Sequence, residues 1–262
     1  MRRSIVLLLF FVLLAPAAAE ARNATGLLSE IPVRVENNTG YKRDLFRHWL
    51  DLDGNSCDTR DEVLLRQDLS ARPRCRSSRG GWFSAYDGLR FTEPSRLDID
   101  HFVPLAEAWG SGAWDWKADS RDRFANDLYG YSLLAVSASS NRSKSDRDPA
   151  EWMPPRSSYR CTYLARWVAV KYRWRLSVDV RERDFLLRGL GACPKAAVDV
   201  KQITRARVET SGTPQPPPPG ELDPRFSSCT EAKAAGYGPY YRDIDPEYLW
   251  YRDGDGDGIA CE

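Results

Sequence analysis

Histidine is nearly absent from this chain of 262 residues: His48 and His101 are the only two, and methionine is equally rare at two. No Cys-x-x-Cys spacing occurs. Structural zinc sites are assembled from Cys and His at such spacings, so a tetrahedral zinc role for the cysteines is poorly supported. Long apolar runs are missing after Leu14, and the run before it, Ile5 to Leu14, is shorter than the roughly 20 residues a membrane helix needs. No cysteine follows that run, which argues against a lipid anchor. There is no internal repeat. Charge of one sign is lacking too: 38 basic side chains face 37 acidic ones, for a formal net charge of +1.

What stands at the N-terminus is a secretory signal. Arg2 and Arg3 precede the apolar run, and Pro16 and Ala17-Ala18-Ala19 close it with small residues. Residues 1–21 are therefore assigned to a signal peptide, with cleavage after Ala19 or Ala21. The mature chain is expected to be secreted, without a membrane span. Six cysteines, at 57, 75, 161, 193, 229 and 261, form an even set in an exported chain and favour disulfides. Cys57–Cys75, Cys161–Cys193 and Cys229–Cys261 are the expected pairs, because each lies inside one predicted unit.

The near-neutral total hides a divided chain. From Glu221 onward ten acids face four bases, which leaves about +7 on everything before. The break falls at Ser211-Gly-Thr-Pro-Gln-Pro-Pro-Pro-Pro-Gly220, a stretch that reads as a stiff, extended linker. The expected organisation is a larger domain at 30–195, a Pro-rich linker at 196–224 and a small module at 225–262. A basic body suits a polyanion and an acidic tail suits a cation.

Within the body, Tyr41 to Leu50 has Leu45, Phe46 and Trp49 at helical spacing. Thr59-Arg60-Asp61-Glu62 resembles a capping box ahead of Val63, Leu64 and Leu65. Residues 80–88 read as strand and turn. Asp148-Pro149-Ala150-Glu151 reads as a helix start, and Cys161, Leu164, Val168, Tyr172 and Leu176 mark the buried face of a longer helix. The nine tryptophans are read as core residues.

Two runs carry the chemistry. Asp98-Ile99-Asp100-His101-Phe102-Val103-Pro104-Leu105 is followed by a strand at Leu133–Val136 and then by Asn141-Arg142-Ser143-Lys144-Ser145-Asp146. Adjacent strand side chains point to opposite faces, so Asp100 and His101 flank a bound group without crowding each other. An imidazole accepts a proton near neutral pH. Asp100 and Asn141 offer the oxygens that hard divalent cations prefer, and such a cation neutralises a scissile phosphate and its leaving oxygen. Arg142 and Lys144 lie close enough to Asn141 to grip flanking phosphates. Asn126, ahead of the second strand, is placed to fix the loop or the imidazole. Asp98 is read as a supporting or turn residue, and His48 is explained by its helix face.

Together Asp100-His101, Asn126 and Asn141–Asp146 resemble the ββα-metal, or HNH, nuclease motif. The likeness is to secreted bacterial HNH endonucleases and, more distantly, to the HNH domain of RNA-guided CRISPR effectors. It extends from about Tyr41 to Cys193 through Cys57-Asp58-Thr59-Arg60, Trp82–Gly88, His101–Trp109 and Asp148–Trp152. The resemblance implies an α+β fold: a ββα-metal core with surrounding helices. It implies His101 as general base, Asp100 and Asn141 as ligands of one Mg²⁺ or Mn²⁺, and Asn126 as a supporting catalytic residue. Its implied substrate is nucleic acid, DNA before RNA. Low sequence specificity is expected because no recognisable reader domain accompanies the nuclease, and a monomer is expected. The stretch from Glu107 to Phe124 makes the strand-to-strand connection longer than in compact HNH motifs, as a substrate-facing flap or a packing helix.

The tail has its own pattern. Asp253-Gly254-Asp255-Gly256-Asp257-Gly258 places acids at alternate positions with glycine sixth, as an EF-hand loop begins, but the last acid, Glu262, comes too early for a standard EF-hand. With Cys229-Thr230-Glu231-Ala232 and Cys261-Glu262 it resembles the excalibur module, a small disulfide-stapled extracellular calcium-binding domain. That implies Ca²⁺ held by Asp253, Asp255, Asp257, Glu262 and the Ile259 carbonyl, with cell-wall association as a further partner role. Asp51-Leu52-Asp53-Gly54-Asn55 echoes the pattern without a distal acid and reads as a turn. Sequons occur at Asn23, Asn37 and Asn141. A glycan at Asn141 would cover the metal ligand, so a bacterial source is expected. Two rival roles are a catalytically inactive, calcium-dependent binding protein on the same scaffold and an antibacterial nuclease toxin.

Overall fold

The computed structural model describes residues 21–71, 73–193, 197–212, 224–235, 237–238, 240–241, 246–254 and 259–261. In chain order its elements are β1 (Ala21–Asn23), α1 (Ala24–Leu28), α2 (Thr59–Gln67), β2 (Trp82–Phe83), β3 (Arg90–Phe91), β4 (Leu97–His101), α3 (Leu105–Gly110) and α4 (Ala118–Ala125). They continue with β5 (Leu133–Ser137), α5 (Ala138–Lys144), α6 (Arg160–Trp174), α7 (Val180–Gly191) and β6 (Ala197–Asp199). The C-terminal module contributes α8 (Cys229–Ala234), β7 (Tyr240–Tyr241) and β8 (Ile259–Ala260). Helix and strand are mixed, an α+β arrangement. No helix among the described residues is long and apolar enough to cross a membrane. The signal-peptide assignment, residues 1–21, lies outside the described residues except for Ala21.

Alternation decides the central strand pair. In β4, Leu97 and Ile99 turn to one face and join Val63 and Leu64 of α2, Trp82, Phe91, Leu133 and Ala135 in a small apolar cluster. Asp98 and Asp100 therefore point to the other face. β5 runs antiparallel to β4, with Asp100 opposite Leu134 and His101 opposite Leu133. Helix α5 follows β5 without a break. The Ser137 hydroxyl caps it by accepting from Ser140 N, and α5 packs against both β4 and β5.

The larger core gathers around α6, where Tyr163, Trp167, Val168 and Ala169 are fully buried. Helices α1 and α7 pack on it. The Cys161–Cys193 disulfide ties its first turn to the residues after α7, and Cys57–Cys75 staples the approach to α2. Trp109, Ala113, Trp116 and Phe124 are buried in the same core. The long connection between β4 and β5 is thus a packing element, not a flap.

Three local expectations change. Tyr41–Leu50 is no helix but a single 3-10 turn at Arg43–Leu45. The N–H groups that a helix would use internally go elsewhere: Arg47 N donates to Asp122 and Leu50 N to Asn126. The cap of α2 is Asp58, which accepts from Asp61 N, so Thr59 is already inside the helix. At Asp148 the carboxylate accepts from Ala150 N and Glu151 N in a turn. The helix waits until Arg160, after Pro154-Pro155, because a residue before proline avoids the helical region.

The domain boundaries widen in both directions. β1 pairs with β6, and Val198, Ile203 and Ala206 join the core. Lys117 N donates to Glu209 O and Ser211 N to Asp115 O. The body therefore starts before residue 30 and runs past 195 to about Ser211; most of the proline stretch lies outside the described residues. The Asp51–Asn55 run is a turn, its Asp51 carboxylate accepting from Gly54 N and Ser56 N with Gly54 at φ +73°.

One polar knot sits inside this core. Lys171 Nζ of α6 is fully buried, 2.5 Å from Glu107, 2.6 Å from Glu182, and 2.9 Å from both Ser111 Oγ and the Ser177 carbonyl. Glu36, Glu107 and Glu182 have carboxylate oxygens within 4.8 Å of one another. Burial pushes both Glu36 and Glu182 up to about 8, against the pull of Lys171, whose own value is raised. Burial pushes Glu107 up as well, but Lys171 more than offsets it and leaves its value lowered.

A carboxyl raised on folding contributes stability that is full below its unfolded value and fades as pH rises through its folded value. For Glu36 and Glu182 that window runs from 4.5 to about 8. The thermal midpoint is expected to fall across this window, and Glu182→Gln to flatten the fall. Parallel midpoint-against-pH curves for the two proteins would contradict this.

Candidate active site

The two short runs singled out in the sequence meet where α5 packs against β4. Asn141, on α5, directs its amide Nδ2 to Asp98 Oδ2 at 3.3 Å, and Arg142 Nε lies 3.7 Å from the same carboxylate. Asp98 and Arg142 are both partly or largely open to solvent. The carboxylate beside Asn141 is thus that of Asp98.

Asp100, two residues on along the same strand face, is buried. It takes a hydrogen bond from the Tyr86 hydroxyl and lies 2.7 Å from Lys144 Nζ. Burial pushes the Asp100 carboxyl up and the Lys144 ammonium down, while their contact opposes both shifts. Lys144 is fully buried and also donates to the His101 carbonyl at 3.0 Å. The expectation of Lys144 as a phosphate contact is corrected accordingly: its ammonium is spent inside the fold. Arg142 remains exposed.

His101 occupies the opposite side of β4 from these carboxylates. Its Nε2 lies 2.9 Å from the Ala125 carbonyl. A carbonyl only accepts, so Nε2 carries the hydrogen and Nδ1 is left as the acceptor. Burial pushes His101 down to about 3, which keeps the ring neutral.

Asn126 does not orient this imidazole. Its Nδ2 donates to Arg47 O at 2.7 Å and Asp122 O at 2.8 Å, and its Oδ1 accepts from Leu50 N at 3.1 Å and lies 2.8 Å from Thr59 Oγ1. The side chain is therefore a clamp on residues 47–50. The C-terminal end of α4 thus holds His101 through Ala125 and the His48–Trp49 segment through Asn126. That segment reaches the site: the His48 and Trp49 rings lie 6.1 and 5.7 Å from the His101 ring. Sequence reasoning missed His48, Trp49 and Tyr86. Only the scarcity of histidine hinted at the first.

In the C-terminal module the Cys229–Cys261 disulfide joins α8 to the end of β8. Asp253 accepts a hydrogen bond from the Tyr248 hydroxyl at 2.7 Å, and Ile259 opens β8, opposite Tyr241. The other expected calcium ligands, Asp255, Asp257 and Glu262, lie outside the described residues.

Comparison with known proteins agrees with this division. Residues 226–262 match the Excalibur calcium-binding domain, and residues 52–188 match the family described as GmrSD restriction endonucleases, C-terminal domain. A relative from Arthroderma benhamiae, described as an uncharacterized secreted protein, is 42% identical over 181 residues, covering 68% of this chain and 88% of the relative. No solved structure matches significantly. With three disulfides and that relative, the chain is a secreted, extracellular protein. Its body is nuclease-related and its tail is of a calcium-binding kind. The chain belongs to the family described as GmrSD restriction endonucleases, C-terminal domain, and its residues 226–262 are similar to the Excalibur calcium-binding domain.

Proposed function

We propose that this chain is a metal-dependent endonuclease of the HNH type that hydrolyses phosphodiester bonds of nucleic acid, DNA before RNA, with little sequence preference. The observation that carries the reading is the split of β4: a buried, neutral imidazole with an uncommitted Nδ1 on one side, and an acidic face meeting Asn141 on the other. That face suits a hard divalent cation, Mg²⁺ or Mn²⁺, in its chemistry, because Asp98, Asp100 and Asn141 all carry oxygens, and binding at Asp100 requires Lys144 or Tyr86 to release its carboxylate. Asp100 and Asn141 are the proposed ligands, with Asp98 beside them. When bound, the cation neutralises charge on the phosphate and on the leaving oxygen. His101 Nδ1 takes the proton of the attacking water, and Arg142 steadies a neighbouring phosphate. Asn126 keeps the wall of the site in place.

Asn141→Ala is expected to lower metal-activated cleavage by at least the roughly 10–100-fold seen when groups supporting a metal ligand are removed. Excess Mg²⁺ or Mn²⁺ should partly restore it. An Asn141→Ala protein with wild-type rates at every metal concentration would remove the acidic face from the site. Comparing Asp98→Asn with Asp100→Asn then ranks the two carboxylates. Binding governed by the phosphate backbone also predicts that cleavage falls steeply as salt rises; a rate insensitive to salt contradicts it.

One observation favours a second reading, a catalytically inactive calcium-dependent binding protein on this scaffold: Lys144 already compensates Asp100 at 2.7 Å. Nucleic-acid binding without turnover under any divalent metal would select it.

A further inference from the structure

The only two histidines of the chain, far apart in sequence, one in the loop before α2 and one at the end of β4, meet at one place. Their rings stand edge to face, with centroids 6.1 Å apart and an interplanar angle of 88°. Each ring has one nitrogen tied to a backbone carbonyl: His48 Nδ1 lies 2.9 Å from Phe46 O, and His101 Nε2 lies 2.9 Å from Ala125 O. The opposite nitrogen of each ring, His48 Nε2 and His101 Nδ1, makes no hydrogen bond among the described residues. His101 is buried, whereas His48 is half-buried and keeps access to water.

The backbone that carries His48 is fixed more firmly than a surface turn requires. Asn126 holds it at Arg47 O and Leu50 N, and the Asp122 carboxylate takes both the Arg47 backbone N–H and the Arg47 guanidinium. Between these ties Trp49 sits at φ +62°, a left-handed conformation that a bulky residue adopts only under constraint. Strain of this kind persists where the surroundings over-determine it, and it gathers at functional sites. Its result here is to place the His48 and Trp49 rings against His101, with His48 5.1 Å from Trp49.

We propose that His48 is the second imidazole of the cleavage site and protonates the leaving oxygen, an inference that rests on the nuclease reading above. The water oxygen bonds to phosphorus and its proton passes to His101 Nδ1. The bond from phosphorus to the 3′ oxygen breaks and its electron pair stays on that oxygen. His48, entering the step as the imidazolium with Nδ1–H held by the Phe46 carbonyl, gives its Nε2 proton to that oxygen and is left neutral. The products are a 5′ phosphate and a 3′ hydroxyl. Both rings return to their starting state by proton exchange with water. His48 is then a catalytic residue, and Asn126 a positioning residue that acts through it.

Leaving-group dependence tests this. The full-length oxidised protein and its His48→Ala, His48→Gln and His101→Ala variants are assayed with Mn²⁺ on supercoiled plasmid and on bis(p-nitrophenyl) phosphate. The alkoxide released from DNA needs a proton, whereas p-nitrophenolate leaves without one. His48→Ala is expected to slow plasmid cleavage by about 10²-fold or more, the scale of general acid catalysis, and to change p-nitrophenyl release only a few-fold. His101→Ala should slow both. His48→Gln, which fills the same space, covers the case in which the alanine variant misfolds, and should share its pattern.

Equal losses on the two substrates would make His48 a prop and overturn the proposal, as would no loss on either. A wild-type protein that cleaves neither substrate overturns the nuclease reading itself, and this proposal with it. A wild-type protein that cleaves both while His48→Ala changes nothing overturns only the proposal.

Discussion

Lys171→Met is expected to destabilise the fold by about 3–5 kcal/mol, because it leaves buried carboxylates without their partner. The ammonium sits within 2.6 Å of both Glu107 and Glu182 and has no exposed surface. It joins α6 to α3 through Glu107 and to α7 through Glu182, so its loss loosens three elements of the main core together. A domain of ordinary stability has only about 5–15 kcal/mol in hand. The urea midpoint followed by circular dichroism should therefore drop sharply, or the variant should fail to fold in oxidised form. Adding Glu107→Gln and Glu182→Gln to the same protein should recover much of the loss, since the uncompensated charge is then gone. A Lys171→Met midpoint equal to wild type would mean that the buried knot contributes nothing net.

His101→Ala is expected to have the larger effect on activity. Removing a positioned general base typically lowers a rate by about 10²–10⁴-fold. Among the described residues the ring makes a single hydrogen bond, to the Ala125 carbonyl, and it sits at the end of β4. Its loss should therefore spare the melting temperature far more than Lys171→Met does. Burial pushes the imidazole down to about 3, so the wild-type ring is already in the proton-accepting form wherever the protein is folded near neutrality. A variant that cuts as fast as wild type would assign the activity to another group.

These effects trace back unevenly to the sequence. β4 and β5 were legible because their partners are periodic: Leu97 and Ile99 alternate with Asp98 and Asp100, and the apolar run at Leu133–Val136 answers them. The disulfide pairs were legible because each joins cysteines within one unit. The Tyr41–Leu50 segment was misread because long-range bonds override local periodicity. Arg47 and Leu50 give their N–H groups to Asp122 on α4 and to Asn126, which caps its C-terminal end, and no local pattern announces such partners. Lys144 was misread for a related reason: a lysine on a short helix reads as surface until Asp100 and the His101 carbonyl are seen beneath it.

The site divides in the same way. Asp100, His101 and Asn141 were named from their motif, and the structure brings their two runs onto one strand–helix unit. His48 was assigned to a helix face that does not form, and its meeting with His101 depends on the Asn126 clamp. Asn126 itself stood out as a supporting residue, but what it supports is visible only in three dimensions. The return of residues 197–211 to the core was hidden because it follows the last cysteine of the body and leads into the proline stretch, so composition shifts later than the fold ends.

The most direct test of the central claim is cleavage of supercoiled plasmid by the oxidised mature protein with Mg²⁺ or Mn²⁺, with and without a chelator. The account predicts nicked and linear products that depend on the metal and vanish with chelation. A protein that is folded and binds nucleic acid, yet cuts neither plasmid nor RNA under any divalent metal, would contradict it.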